Sequence, residues 1–240
     1  MASIIGGGAP IRADVGAAVR DAPALYPVET CVQQPTTSSR WAAVLGILLP
    51  LKLLAVLPVG ALAAALTIAQ FLAAWYGFWA GLCTGRYPAG PRRLVTDVLR
   101  LQAQVAAWVM SYTDAYPAVG LDPVQAVRVE APERGPGARY ALWPFRGGAA
   151  AGEGAANRWW AVLGILLPLR MVAALPHYIV VTVLGMISLV LGWIGFWIIL
   201  FTGRYPRGLW GFDSGILCWD VRLAAFTLGL TDVYPPFRLA

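Results

Sequence analysis

The sequence predicts an all-α integral membrane protein made of two tandem repeats, each a transmembrane helical hairpin plus an amphipathic interfacial helix. Three observations lead there. The 240-residue chain is 59% hydrophobic and only 12% charged, with a mean hydropathy of +0.65, too little polar surface to cover a soluble globule of this size. Arg40-Trp41 to Tyr116-Pro117 realigns without a gap on Arg158-Trp159 to Tyr234-Pro235 at a shift of 118 residues, with roughly 33 of 78 positions identical, so each copy is one structural unit and the two are expected to share an interface. Val59 to Cys83 and His177 to Phe201 are uncharged runs of 25 residues, each long enough at about 1.5 Å per residue to cross roughly 30 Å of hydrocarbon. The chain divides accordingly into a polar arm (1–39), repeat one (40–117), a cytoplasmic linker (118–157) and repeat two with a short tail (158–240).

The polar arm scatters Arg12, Asp14, Arg20 and Asp21 among Gly, Ala and Pro, a composition without the apolar core of a signal peptide, so the N-terminus is expected to stay in the cytoplasm. Each repeat is approached by a short strand-like segment, Tyr26-Pro27-Val28-Glu29 or Val124 to Val129; an isolated pair of such strands is marginal. A seventeen-residue apolar helix follows, Trp41 to Leu57 or Trp159 to Leu175. Pro50/Pro168 should kink it, and Pro58/Pro176 stands where the next helix would begin, which suggests a hairpin with almost no loop. Lys52/Arg170 precedes that turn closely enough to snorkel to the far interface, because a cation left at the bilayer centre costs on the order of 3 kcal/mol.

Trp75, Tyr76 and Trp79, and in the second copy Trp193 and Trp197, place an aromatic belt near one end of each long span. Thr-Gly-Arg-Tyr-Pro then ends the helix, with Arg86-Tyr87 and Arg204-Tyr205 as candidate anchor pairs at headgroup depth. The third element carries an apolar stripe in both copies: Leu94, Val98, Leu101, Val105, Trp108 and Tyr112, matched by Phe212, Ile216, Trp219, Leu223, Phe226 and Leu230. That pattern describes an amphipathic helix lying on the membrane or packed on the hairpin. Each copy closes with Thr-Asp-x-Tyr-Pro, in which Asp114 or Asp232 can cap a turn and Tyr116 or Tyr234 precedes a proline that stops the helix. Two crossings per copy would make the copies parallel and gather Arg40, Arg86, Arg92, Arg93, Arg158, Arg204 and Arg207 on the cytoplasmic side, with both termini; a third crossing would invert them.

Little in the chain points to chemistry. His177 is the only histidine, and its place at the helical turn reads as a satisfied interfacial ring rather than a ligand, because no Cys, Asp or Glu accompanies it. Cys31, Cys83 and Cys218 form no spaced pair. Gly6-Gly7-Gly8 and Gly147-Gly148 match no phosphate-binding pattern. No metal or cofactor site, and no catalytic residue, is therefore expected. The net charge of +6 suits an arginine-rich face beside anionic lipid better than nucleic-acid binding, since no basic and aromatic stripe lies outside the apolar segments.

Leu175-Pro176-His177-Tyr178, Leu200 to Leu209 with its Thr-Gly-Arg-Tyr-Pro, and Thr231-Asp232-Val233-Tyr234-Pro235-Pro236-Phe237 resemble the bacterial membrane proteins grouped as domain of unknown function 4389. The resemblance covers copy two from about Arg158 to Phe237 and copy one more loosely, where Val59, Ala89 and Ala118 replace His177, Arg207 and Pro236. It implies a multi-pass domain of the bacterial inner membrane, often in tandem, with no activity or cofactor attached. The function expected is that of a non-catalytic accessory or scaffold subunit whose partners are lipids and other membrane subunits. A transporter, channel or lipid-handling protein working at the repeat interface is the alternative; a lipid-acting enzyme ranks last for want of an acid, base or nucleophile cluster.

Overall fold

The computed structural model describes residues 29–32, 34–84, 87–117, 127–130 and 158–239. In chain order the elements are β1 (Glu29–Val32), α1 (Arg40–Ile47), α2 (Leu49–Thr84), α3 (Ala89–Val109), β2 (Val127–Glu130), α4 (Arg158–Ile165), α5 (Leu167–Ala173), α6 (Leu175–Thr202) and α7 (Arg207–Thr227). Helices carry the fold, and β1 and β2 form a single antiparallel ribbon with Glu29 opposite Glu130 and Val32 opposite Val127. The second expected strand overlaps β2; the first falls mostly on 26–28, outside the described residues.

The loopless hairpins do not form. The helix that starts at Arg40 breaks at Leu48, and the one that starts at Arg158 breaks at Leu166, where ψ is 60° and 58°. Pro50 and Pro168 explain the position: each lacks the N–H for the carbonyl four residues back, and its ring crowds that carbonyl. Past the break, α2 runs through Pro58 without interruption, and only Ala174, at φ −90° and ψ −3°, separates α5 from α6. Reversing direction between antiparallel helices takes about two to five loop residues, which neither site supplies. Among the described residues, two helices rather than four are therefore long and apolar enough to cross a membrane, Leu51–Thr84 and Leu175–Thr202.

Reversal comes instead at the Thr-Gly-Arg-Tyr-Pro turns. Gln70 donates to the Val95 carbonyl at 3.1 Å, and the Tyr116 hydroxyl to the Ala55 carbonyl at 2.9 Å, contacts that only an antiparallel α2 and α3 can make together. Ser188 to Asp213 at 2.7 Å, with Tyr178 against Thr227 at 3.0 Å, sets α7 antiparallel to α6 in the same way. The two pairs meet along α3 and α7. Arg92 Nη1 donates to the Leu230 carbonyl at 3.2 Å, and Trp210 Nε1, at the position equivalent to Arg92, donates to the Tyr112 carbonyl at 3.1 Å. These reciprocal bonds make α3 antiparallel to α7, so α2 and α6 also run in opposite directions.

The parallel arrangement expected from the arginines is thus corrected. The third helix does not lie flat; it packs back along the long helix and returns the chain to the end from which that helix came. Arg40, Arg204 and Arg207 stand at one end of the molecule, and Arg92 and Arg93 at the other. Val95, Leu99, Ala103 and Ala107 of α3 bury against Leu217, Val221 and Ala225 of α7 in the central core. The short first helices cross over: a Cβ on Gly46 of α1 would lie 2.8 Å from the Phe196 ring of α6, and one on Gly164 of α4 would lie 2.5 Å from the Phe78 ring of α2. Glycine at those positions is what lets each copy's first helix seat on the other copy's long helix.

Candidate functional site

Neither Lys52 nor Arg170 snorkels; both are fully buried, at 0% and 1% exposure. Lys52 Nζ donates to Ser111 Oγ and lies 5.1 Å from the Trp108 ring centre and 4.9 Å from that of Phe196. Ser111 holds φ at +58° where the equivalent position is Gly229 at +78°, a left-handed conformation that costs a side-chain-bearing residue about 1–2 kcal/mol. The strained serine presents the hydroxyl that the lysine needs.

Arg170 is better supplied. Its guanidinium donates to the Trp160 carbonyl at 3.1 Å, the Thr231 carbonyl at 2.6 Å and Asp232 Oδ1 at 3.3 Å, and its carbon lies 4.6 Å from the centre of the Phe226 ring and 5.3 Å from that of Phe78. Burying a cation costs several kcal/mol unless its donors find acceptors; Ser111, just before the first Thr-Asp-x-Tyr-Pro segment, accepts from Lys52, and Thr231 and Asp232 of the second segment accept from Arg170. The expected anchors at a far interface are therefore interior groups, because each cation faces its own repeat's closing segment instead of lipid.

Those closing segments are held by their tyrosines: Tyr116 donates to Ala55 and Tyr234 to the Ala173 carbonyl at 3.0 Å. Within both turns the threonine accepts a backbone N–H two residues on. Thr113 Oγ1 accepts from Ala115 N, and Thr231 Oγ1 from Val233 N, both at 3.1 Å. The acids reach elsewhere, Asp232 to Arg170 and Asp114 Oδ2 to the Ser39 backbone N–H at 2.8 Å, at the start of α1. At the other motif, Tyr205 is buried, and its ring and that of Tyr87 lie directly over Gly195 and Gly77. Arg204 is exposed; Arg86 lies outside the described residues. Lys52 and Arg170 thus join Asp114 and Asp232 through the closing segments, and Arg204 joins neither.

One buried polar group, Asp213, escaped the sequence reading, and a second, His177, lies deeper than it suggested. Asp213 is fully buried; it accepts from Ser188 Oγ and from the Tyr205 hydroxyl, each at 2.7 Å, and Ser188 also pairs with the Tyr112 hydroxyl at 2.9 Å. The only sequence signal for Asp213 was an acid standing where copy one has Val95, which is itself buried. His177, expected at an interface, is buried too. Nδ1 accepts from Trp219 Nε1 at 3.1 Å, and the ring stacks on Phe237 at 3.8 Å. Because an indole N–H can only donate, Nδ1 carries the lone pair and Nε2 the proton. Nε2 has no partner among the described residues.

Among the described residues no three His, Cys, Asp or Glu side chains converge on a possible metal position. Fold and site together define a helical protein with two potential membrane-crossing helices, in which Lys52 and Arg170 are drawn inward as structural ties. Residues 167–238 match the family model described as a domain of unknown function (DUF4389), a stretch confined to the second copy. No curated protein and no solved structure matches the chain.

Proposed function

We propose that the protein is a non-catalytic, multi-pass protein of the bacterial inner membrane, arisen by duplication of one domain and serving as an accessory or scaffold subunit of a larger membrane assembly. The observation that carries this is the exposure of its most apolar surface. Only 22% and 28% of the most apolar stretches of α2 and α6 are buried, leaving Leu54, Leu57, Ile68 and Leu72, and likewise Ile179, Met186, Val190 and Phe201, on the outside. A contiguous apolar face of that extent marks contact with lipid or with partner helices.

The antiparallel relation of the two copies also occurs in transporters, and keeps transport or lipid handling at the repeat interface as the second reading.

Affinity purification from native membranes in mild detergent tests the choice: a stoichiometric partner is expected. A chain that purifies alone and conducts solute flux in liposomes would replace the subunit reading with the second one. Topology is tested with Ala89→Cys and Gly208→Cys, each in a background lacking the native cysteines. Antiparallel spans place these positions on opposite faces, so an impermeant maleimide added outside should label one and spare the other; labelling of both from one side would refute the crossing.

A further inference from the structure

Where α6 stops and α7 starts, the surface holds a pocket of about 390 Å³ lined by Gln34, Pro35, Thr36, Arg204, Tyr205 and Arg207. Part of its wall is already committed. Gln34 Nε2 donates to the Tyr205 carbonyl at 3.2 Å, and the Tyr205 hydroxyl donates to Asp213. The guanidiniums of Arg204 and Arg207 are not: both side chains are exposed, and neither makes an ion pair within the described residues. Arg40 adds a third cation at this end, its Nε 3.7 Å from where a Cβ on Gly203 would sit. Helix α7 begins at Arg207 after Pro206, with no side-chain cap, so the positive end of its dipole lies beside the same pocket. Trp41, Trp193, Trp197 and Phe201 are exposed near it, the ring types that settle at the membrane–water boundary.

Cations without an acidic partner among the described residues, set around a cavity next to an exposed aromatic and apolar helix face, fit a ligand that is anionic at its head and apolar below. We propose that this pocket binds the phosphate of an anionic phospholipid, with Arg204 and Arg207 as its ligands and the acyl chains lying along α6. The proposal rests on the membrane reading above. The pair is peculiar to this end, because Ala89 stands at the position equivalent to Arg207; one such site per chain is the consequence.

The test uses the purified full chain in detergent and native mass spectrometry with phosphatidylglycerol, phosphatidylcholine and inorganic phosphate. Phosphatidylglycerol should be retained over phosphatidylcholine. Arg204→Gln/Arg207→Gln should weaken its binding roughly thirtyfold, equivalent to about 1 kcal/mol per cation, while Arg204→Lys/Arg207→Lys keeps most of it and Arg93→Gln, at the opposite end, changes nothing. Unchanged phosphatidylglycerol binding in the double Gln variant, melting as the wild type does, would overturn the site, as would equal retention of the two lipids. Displacement of phosphatidylglycerol by equimolar inorganic phosphate would assign the pocket to a soluble phosphate and overturn the lipid. Alkaline carbonate extraction of cell membranes reads the underlying premise separately: release of the chain into the supernatant refutes the membrane reading, whatever the pocket binds.

Discussion

Replacing Arg170 by methionine keeps an unbranched apolar stem and removes a buried charge whose partners stay behind. Three acceptors lose their donor: the Trp160 and Thr231 carbonyls and Asp232, whose side chain is only 13% exposed. Breaking a buried ion pair by deleting one member costs about 3–5 kcal/mol, chiefly through the charge left uncompensated. Lys52→Met should behave differently. Its one hydrogen-bond acceptor in this structure is the Ser111 hydroxyl, which can turn elsewhere, and Asp114 keeps its bond from Ser39; a methionine between Trp108 and Phe196 also packs well on aromatic faces. A change within about 1 kcal/mol follows, since replacing buried ionic groups by apolar ones of similar volume is often neutral. At roughly 2–4 °C per kcal/mol for a chain of this size, Arg170→Met should lower the melting temperature in detergent by about 10 °C and Lys52→Met by no more than about 4 °C. Thermal unfolding followed by intrinsic tryptophan fluorescence measures both. Equal and small effects would refute the buried-tie account and return both cations to the interface.

Gly195→Ala puts a Cβ 2.8 Å from the Tyr205 hydroxyl oxygen, which Asp213 holds in place, so a loss of about 1–3 kcal/mol is expected, whereas Gly185→Ala, with nothing within 4 Å, should leave the melting temperature unchanged or raise it; equal effects would mean that the tyrosine ring is free to move. Tyr234→Phe should cost more than Tyr116→Phe, toward the upper end of about 0.5–1.5 kcal/mol for a lost hydrogen bond. The break at Ala174 sends the His177 N–H to Ala174 instead of Ala173, leaving the Ala173 carbonyl dependent on Tyr234, while the Ala55 carbonyl lies inside the unbroken α2; denaturation of both variants in parallel ranks them, and the reverse order would contradict this account.

Much of the secondary structure was legible because its signals are local. The long apolar runs of α2 and α6, the exits at Thr-Gly-Arg-Tyr-Pro and the stripe along α3 and α7 each depend on residues within a few turns of one another. The hairpins at Pro58 and Pro176 were misread for a local reason as well: proline marks both helix starts and tolerated interruptions, and the preceding Pro50 and Pro168 had already made the break. The contacts that define the candidate site had no local signal. Lys52 answers to Ser111 and Phe196, Arg170 to Asp232 and Phe78, and Asp213 to Ser188, each across a turn or across the two copies.

Composition, the 118-residue period and the uncharged runs are properties of the chain as written; they settle that its helices are apolar and that its motifs come in pairs. Direction and depth are not written there. Whether two similar units stand parallel or inverted depends on whether the third helix lies flat or packs back, a competition between an interface and a neighbouring helix for the same apolar stripe. Tertiary structure resolves it through the reciprocal bonds of Arg92 and Trp210, and the same packing sets the fate of the two cations. A charge near a helix end snorkels when water is its nearest source of acceptors and stays inside when carbonyls and a carboxylate are nearer, and only the folded chain brings those acceptors to Arg170.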